Sequence, residues 1–243
     1  MEFRTLGIGA PIDYREAWAL QGEIHAEVVD GANSGTVLLL EHPPVFTAGR
    51  NTKPEHRPLD AGGAEVIDVD RGGLITFHGP GQLVGYPIVR TPDHVKVVDY
   101  VRRLEQALIN VCTEFGVTTA RIPGRTGVWL TSDPATGRPE RKIAALGIRV
   151  RRGVTMHGFA LNCNIDLDWY DRFVPCGIDD AAVTSLSAEL GRDVPVTEVL
   201  DAVQRHLVDL LAWRDYVSTP DYEPRPDPAK QHRGVPVLSF PAR

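Results

Sequence analysis

Apolar residues recur at alternating steps of four and three from about Asp93 to Phe115, and this spacing predicts an amphipathic helix. Its apolar stripe comprises Val97, Val101, Leu104, Leu108, Val111 and Phe115. A second helix is predicted to begin at Asp13, as a capping residue, and to end before Gly31. A third is predicted from about Thr197 to Trp213 because four apolar residues share one face.

Several shorter runs have the composition or the alternation of β-strands. Gly35–Glu41 is typical of a buried strand, whereas Val66–Asp70 alternates apolar and acidic residues as a half-buried strand does. The other predicted strands are Leu74–Phe77 and Leu83–Val89, joined by a glycine-rich turn, and the adjacent pair Lys142–Val150 and Val154–Ile165. Grouped strands with irregularly placed helices predict an α+β fold with a mixed, largely antiparallel sheet.

Length and composition indicate an ordinary globular protein. The chain has 243 residues, of which 42% are hydrophobic. We predict one domain over residues 1–216 and a loosely ordered, proline-rich tail over residues 217–243. The N-terminal residues lack the pattern of a signal peptide, and no apolar run is long enough to cross a bilayer. With three cysteines and no C-x-x-C pair, we expect a cytoplasmic protein without a membrane partner.

The charge pattern argues against nucleic-acid binding and leaves one basic segment to explain. The net charge is −6, which disfavours a general affinity for nucleic acid. Between Arg121 and Arg152, however, eight basic residues accompany two acidic ones. This segment is either an ordinary solvated surface or a docking face for an acidic partner, and the charge pattern alone does not decide between them.

The three cysteines differ in their sequence context. Cys112 falls on the apolar stripe of its predicted helix, and Cys163 falls on an apolar strand face, so both are expected to be core residues. Cys176 instead lies between Pro175 and Gly177, in irregular backbone. A glycine beside a nucleophile permits close approach of a substrate, so Cys176 is a candidate nucleophile, with a structural cysteine as the alternative.

Lys142 is the candidate partner of that thiol. In a regular strand it would share a face with the apolar residues Ala144, Leu146 and Ile148. A lysine at the edge of a core could lower the pKa of a nearby thiol and so generate a thiolate. The alternative is a surface lysine at the end of a strand.

Small residues on the two adjacent strands predict room for an extended ligand. Gly158 and Ala160 share one strand face, and Ala145 and Gly147 lie on the neighbouring strand. Close packing of a helix against the sheet would explain the same residues. His78 and His157 are candidates for orienting substrate or moving protons, or are structural. Walker A, H-E-x-x-H, G-x-S-x-G and dinucleotide-binding motifs are absent from the sequence.

Five blocks of the sequence resemble, in order, the motifs of the lipoyl(octanoyl) transferase family. They are Glu41–Arg50, Arg71–Gln82, Lys142–Gly147, Arg152–Asn162 and Pro175–Ile178. The second block, RGGLITFHGPGQ, closely resembles the family signature R-G-G-x-x-T-[YF]-H-G-P-G-Q, and the third, KIAALG, is similar to K-I-A-[AS]-[IL]-G. The resemblance covers roughly Leu38 to Leu186, and the region after Trp213 carries no assigned motif.

This resemblance implies a fold related to biotin and lipoate protein ligases. It implies an acyltransferase that moves an octanoyl group from the phosphopantetheine arm of acyl carrier protein to a lysine of a lipoyl domain. The acceptors would be lipoyl domains of 2-oxoacid dehydrogenase complexes and the glycine cleavage H protein, and neither ATP nor a metal would be needed.

The same resemblance implies roles for particular residues. Cys176 would be the acyl-thioester nucleophile and Lys142 the residue that activates it. His157, to which the resemblance assigns no role, is a candidate supporting residue. The implied substrate contacts are Arg71, Gly72, Gly73, Leu74, Ile75, Thr76, Phe77, His78, Ala145, Leu146, Gly147, Gly158, Phe159 and Ala160.

Two alternative functions remain at this stage. An ATP-dependent lipoate or biotin ligase on the same fold would form an acyl-adenylate. The sequence resembles such ligases less closely, because their pattern has a longer glycine run and an H-D-x-G-N motif where this chain has Arg71–Gly73 and His78–Gln82. A non-catalytic protein that binds acyl groups or lipoyl domains would keep its function without Cys176.

Overall fold

The structure, a computed structural model, describes residues 1–133, 135–173 and 182–222. In chain order, its strands and helices are β1 (Glu2–Leu6), α1 (Tyr14–Asp30), β2 (Thr36–Leu40), β3 (Val45–Ala48), β4 (Glu65–Asp68), β5 (Ile75–His78), β6 (Gln82–Ile88), α2 (Val97–Glu114), β7 (Ala120–Ile122), β8 (Arg125–Leu130), β9 (Arg141–Arg151), β10 (Val154–Asn162), β11 (Ala182–Val183), α3 (Leu186–Leu190) and α4 (Val196–Leu210).

The strands form two sheets. The main sheet has the order β1-β2-β6-β10-β9-β8-β7, and β11 pairs with β9 beside this path. The smaller sheet has the order β4-β3-β5. Most neighbours are antiparallel, whereas β1/β2, β3/β4 and β9/β11 are parallel. This arrangement confirms the predicted α+β class with a mixed, largely antiparallel sheet.

The predicted helices form with small differences at their ends. At α1, the Asp13 carboxylate accepts a hydrogen bond from the Glu16 amide at 3.1 Å, and Gly31 ends the helix with φ +82°. α2 begins at Val97 instead of Asp93 because residues 92–95 form a separate turn. α4 ends at Leu210, and the left-handed backbone of Trp213, with φ +60°, follows it.

The glycine-rich turn after β5 connects two sheets, not two paired strands. β5 pairs with β3 in the smaller sheet, and β6 lies between β2 and β10 in the main sheet. Gly81 adopts φ +84° in this turn, and a Cβ there would lie 2.7 Å from the Ile165 amide nitrogen. The turn therefore needs glycine both for its backbone conformation and for the close approach of the following loop.

Helices cover the main sheet on both faces. α2 and α4 pack on one face, where Leu104 and Leu207 meet strand residues such as Leu39 and Leu161. α1 packs on the other face, beside the smaller sheet. None of the helices in the described part of the chain combines the length and the apolar character that a bilayer crossing requires.

The first residues of the predicted tail are attached to the domain. Arg121, which is 2% exposed, donates hydrogen bonds to Ser218 and Asp221, and the Gln106 amide oxygen accepts one from the Thr219 backbone at 2.8 Å. Residues 218–222 therefore contact α2 and β7, whereas Val217 is exposed. The proline-rich remainder, residues 223–243, lies outside the described residues.

Two glycines give a matched test of this packing. Gly22 is exposed in α1, and a Cβ there would meet nothing within 4 Å, whereas a Cβ at Gly85 would lie 2.1 Å from the Phe159 ring. We expect Gly22→Ala to stabilise the chain by about 0.5–1 kcal/mol and Gly85→Ala to destabilise it by about 1–3 kcal/mol. Thermal unfolding measures both, and an unchanged Tm in Gly85→Ala would contradict the packing described.

Candidate active site

A cavity of about 330 Å³ lies between the main sheet and the smaller sheet. Its walls come from β9 and β10 on one side and from β5 with the preceding loop on the other. Tyr14 of α1 and Tyr86 of β6 complete the wall near the helix. Apolar side chains and glycines form much of the lining, so the cavity suits an extended apolar ligand with few polar groups.

Most of the residues proposed from the sequence line this cavity. They are Arg71, Gly73, Leu74, Ile75, Thr76, His78, Lys142, Ala145, Leu146, Gly147, His157, Gly158, Phe159 and Ala160. Gly72 and Phe77 do not. The Gly72 amide instead donates a hydrogen bond to the Ile148 carbonyl at 3.0 Å, and the Phe77 ring stacks on Trp169 with centroids 4.7 Å apart. Both residues therefore stabilise the cavity wall without facing the cavity.

Glycines in adjacent strands keep the cavity open and allow its walls to lie close together. Gly147 of β9 and Gly158 of β10 are register partners. A Cβ at Gly158 would lie 2.1 Å from the Gly85 carbonyl oxygen, and one at Gly147 would lie 2.8 Å from Arg71 Cδ. Side chains at these positions would collide with backbone or with the loop that closes the cavity.

Arg71 shapes that loop. Its guanidinium donates hydrogen bonds to the carbonyls of Gly72 at 3.0 Å and Leu74 at 2.8 Å, and to the Thr47 carbonyl at 2.7 Å. The side chain is 7% exposed. A buried guanidinium needs several acceptors, and here backbone carbonyls supply them, so Arg71 fixes the loop that forms one cavity wall.

Lys142 is buried as predicted, but the prediction that its side chain shares a strand face with that of Ala144 is wrong. Ile143 and Ala144 are adjacent in sequence and both pack in the main core, because the pairing with β8 shifts register between Val128 and Trp129. The shift reverses the alternation, so Lys142 lines the cavity. Lys142 is 8% exposed, and its ammonium lies 4.6 Å from the centre of the Trp129 ring.

Histidines beside the cavity are neutral and held in defined tautomers. His78 Nδ1 lies 2.7 Å from the Gln82 amide oxygen, which can only accept, so this nitrogen carries the proton. By the same reasoning, His42 donates from Nδ1 to the Ile12 carbonyl at 2.7 Å and accepts from the Tyr86 hydroxyl at 2.8 Å. Burial lowers the pKa of His42 to about 4 and that of His78 to about 3.

His157 lies at the other end of the cavity from Lys142, opposite Ile148 in the β9/β10 ladder. Its Nε2 lies 2.8 Å from Asp70, which also pairs with Arg149, and burial with the nearby Arg71 and Arg149 cations lowers its pKa to about 3. The contact with Asp70 is therefore a hydrogen bond from a neutral imidazole. His157 also has a left-handed backbone, with φ +56°, which is strained for a non-glycine residue.

The cysteines predicted to be structural are buried. Cys112 and Cys163 are free thiols with no exposed surface, and burial raises the pKa of Cys112 to about 12 and also raises that of Cys163. Cys176, the candidate nucleophile, lies outside the described residues. The nearest described residues on either side of it are Phe173 and Ala182, and Ala182 pairs with Arg141 at the start of β9.

Five cavity residues were not singled out in the sequence. They are Tyr14, Tyr86, Gly124, Arg125 and Thr126. Tyr14 is the first residue of α1. Tyr86 lies in an apolar strand, between Val84 and Ile88, which pack against α1. Neither tyrosine therefore carries a local signal of a ligand site. Gly124, Arg125 and Thr126 reach the cavity because β8 pairs with the first residues of β9.

The basic segment is largely matched by acidic residues of the same chain. Arg125 pairs with Glu140 at 3.0 Å, and Arg141 pairs with Glu189 at 2.7 Å. Arg138 also pairs with Glu189, while Arg149 pairs with Asp70. Much of the predicted docking charge is therefore compensated inside the domain. Separately, the described residues contain no group of three or more histidine, cysteine or acidic side chains that could hold a metal ion.

Comparison with known proteins identifies clear relatives. Residues 13–208 match the family described as the lipoyl protein ligase A/B catalytic domain. An octanoyltransferase of Salinispora arenicola is 60% identical over 200 residues, covering 82% of this chain and 92% of its own. An octanoyltransferase of Thermobifida fusca is 57% identical over 207 residues, covering 85% and 88%.

A solved structure shares the fold. Lipoate-protein ligase A bound with ATP superposes with a TM-score of 0.61 at 17% identity, covering 87% of this chain and 86% of its own. At this low identity the likeness concerns the fold alone. It confirms the predicted relation to the catalytic fold of lipoate protein ligases.

The buried histidines predict how stability depends on pH. The unfolded chain binds a proton at each of them near pH 6.5, whereas in the folded chain the pKa values of His42, His78 and His157 are about 4, 3 and 3. Unfolding therefore takes up protons between these values, and stability falls as the pH is lowered below 6.5. Each histidine should lower the free energy of unfolding by about 1.4 kcal/mol at pH 5.5.

Urea unfolding at pH 7.5 and at pH 5.5 measures this loss. His42→Gln should remove one of the three contributions. Equal free energies of unfolding at the two pH values would contradict the assignment of neutral, buried histidines.

Proposed function

Because the chain belongs to the family of lipoyl protein ligase A/B catalytic domains, we propose that it is an octanoyltransferase that uses the cavity between its sheets. Its relatives at 57–60% identity are octanoyltransferases, and the chain is accordingly an acyltransferase. The finer proposal is that an octanoyl group moves from acyl carrier protein to a lysine of a lipoyl domain through a thioester on Cys176.

The observation that carries this proposal is the shape and lining of the cavity around Lys142. Between Lys142 and Gly147, β9 runs for about 16 Å at the usual strand rise, which is sufficient for a medium-length acyl chain lying along it. Ala145, Gly147 and Gly158 leave the backbone accessible on one wall, and Leu74 and Ile75 supply apolar surface on the other. Each buried methylene would contribute about 0.8 kcal/mol, so the cavity length would set chain-length preference.

The proposed chemistry has two steps. In the first, the Cys176 thiolate attacks the donor thioester carbonyl, a new carbon–sulfur bond forms, and the pantetheine thiolate leaves with a proton from Lys142. In the second, the amine of the acceptor lysine attacks the acyl-cysteine, an amide forms, and the Cys176 thiolate leaves while Lys142 takes up the amine's proton. Because thioester exchange is near balance and aminolysis is downhill, neither ATP nor a metal cofactor is required.

The proposed partners are acyl carrier protein as donor, and as acceptors the lipoyl domains of 2-oxoacid dehydrogenase complexes and the glycine cleavage H protein. Since much of the basic segment is internally paired, the exposed cations beside the cavity-closing loop fit an acidic donor better. Arg50 follows β3 and its amide donates a hydrogen bond to the Arg71 carbonyl of this loop at 3.1 Å. Burial lowers the pKa of Arg149, and the nearby Arg151 and Arg50 cations lower it further.

Intact-protein mass spectrometry tests the thioester step. After mixing with octanoyl-acyl carrier protein and no ATP, we expect a mass increase of one octanoyl group that hydroxylamine removes. Cys176→Ala should abolish the adduct, whereas Cys112→Ala, which changes a buried core thiol, should keep it. Transfer to a lipoyl domain only when ATP is supplied, with no adduct at any time, would contradict the proposal and indicate a ligase.

Lys142→Met tests the proton-transfer role separately. The substitution keeps a long apolar side chain but removes the ammonium, so we expect acyl-enzyme formation to slow by about 10²–10⁴-fold, the usual contribution of a positioned acid or base. Single-turnover rates with octanoyl-acyl carrier protein measure this effect. A rate within a few-fold of the unsubstituted enzyme would contradict the role assigned to Lys142.

A further inference from the structure

The ammonium of Lys142 lies against an aromatic ring that the proposed reaction does not otherwise use. Trp129, on β8, is 1% exposed and is among the largest fully buried side chains. Its ring centre lies 4.6 Å from Lys142 Nζ, within the range in which the face of an indole attracts a cation. Trp129 and Lys142 are also register partners in the β8/β9 ladder, so the backbone fixes their relation.

Several contacts fix the ring and the space beside it. The indole N–H donates a hydrogen bond to the Arg125 carbonyl at 3.1 Å. Gly127 leaves room for the lysine, because a Cβ there would lie 3.2 Å from Lys142 Cε and 2.7 Å from the Ala144 carbonyl oxygen. The Gly127 amide is itself held by the buried Glu105 carboxylate at 2.9 Å. The lysine side chain therefore lies in a preformed slot with an aromatic wall.

We propose that Trp129 is a positioning residue for the reaction: its indole face holds the Lys142 ammonium at the cavity wall and favours the charged form over the neutral amine. This assignment rests on the proposed function, in which Lys142 delivers a proton to the leaving thiol. A neutral amine could not deliver it. In a buried site the attraction of a ring face for a cation is at its strongest, because water does not compete for the charge.

Several titratable or permanently charged groups face the same cavity as Lys142. Among the described residues they are Tyr14, Arg71, His78, Tyr86, Arg125 and His157, and the Cys176 thiol of the proposed reaction lies outside the described residues. Burial keeps the pKa values of the two histidines near 3, and it raises that of Tyr14 to about 12 and that of Tyr86 well above 10. The arginines stay charged. Among the described residues, two carboxylates contact neighbours of this site: Glu105 on α2 accepts from the Gly127 amide, and Glu140 before β9 pairs with Arg125.

The test is an NMR titration of the Lys142 ε-methylene group, identified by its loss in Lys142→Arg. In the unsubstituted protein this signal should be shifted upfield by the ring current of Trp129. Trp129→Leu should abolish the upfield shift and move the midpoint of ammonium deprotonation to lower pH by roughly 0.4–1.5 units, the size of a cation–π contact expressed in pH. Trp129→Phe should produce a smaller move in the same direction, since phenyl binds cations less well than indole.

Tyr100→Leu is the matched control. Tyr100 is a fully buried aromatic residue in the main core, on α2, so its loss should lower stability without moving the Lys142 midpoint. If Trp129→Leu does not fold, Trp129→Phe decides. The proposal is overturned if the folded Trp129 variants titrate at the unsubstituted midpoint, or if Tyr100→Leu moves the midpoint as far as they do.

A second readout connects the contact to the reaction. The alkaline limb of the pH profile for acyl-enzyme formation should move to lower pH in Trp129→Leu, while the acid limb, which reports on the thiol, should stay in place. The NMR titration needs no substrate. A protein that forms no acyl-enzyme would therefore refute the proposed function and leave the Trp129 contact to be judged by its own measurement.

Discussion

The close approach of three adjacent strands at their glycines is the constraint on which the site depends. Gly85, Gly158 and Gly147 lie on β6, β10 and β9, and a side chain at any of them would overlap a neighbour at 2.8 Å or less. The missing side chains of Gly85 and Gly158 let β6 and β10 pack closely, and that of Gly147 lets the loop before β5 approach the main sheet beside the cavity. Arg71 then fixes this loop through backbone carbonyls of its own residues and of Thr47.

Electrostatics in the cavity follow from this enclosure. Buried histidines stay neutral because the site excludes the water that would solvate their charge, and each is held by a defined hydrogen bond. The arginine on the wall is compensated by carbonyl oxygens. Lys142 differs, since an aromatic face lies beside its ammonium. An apolar chamber with a lysine near one end suits the proposed acyl transfer.

Much of the fold could be predicted from local patterns. The stripe of α2, the cap of α1 at Asp13 and the paired strands β9 and β10 all follow from spacing and capping chemistry. The cavity-lining segments were found from motifs and small residues. Patterns of this kind report on neighbours in sequence, and that is why they succeed for single elements.

The misplaced features depend on tertiary pairing. The strand alternation around Lys142 is reversed by a register shift against β8, and no residue near Lys142 signals it. The turn after β5 joins separate sheets because β5 pairs with β3, a choice made by distant residues. Tyr86 reaches the cavity from an apolar strand, and Trp129 reaches Lys142 only through sheet pairing.

A crystal structure of the octanoylated protein tests the central claim most directly. We predict electron density that is continuous from the sulfur of Cys176 into the cavity between Gly158 and the Leu74–Thr76 segment, with Lys142 Nζ near the thioester. An octanoyl group attached at another residue, or lying outside this cavity while the cavity holds only solvent, would contradict the account.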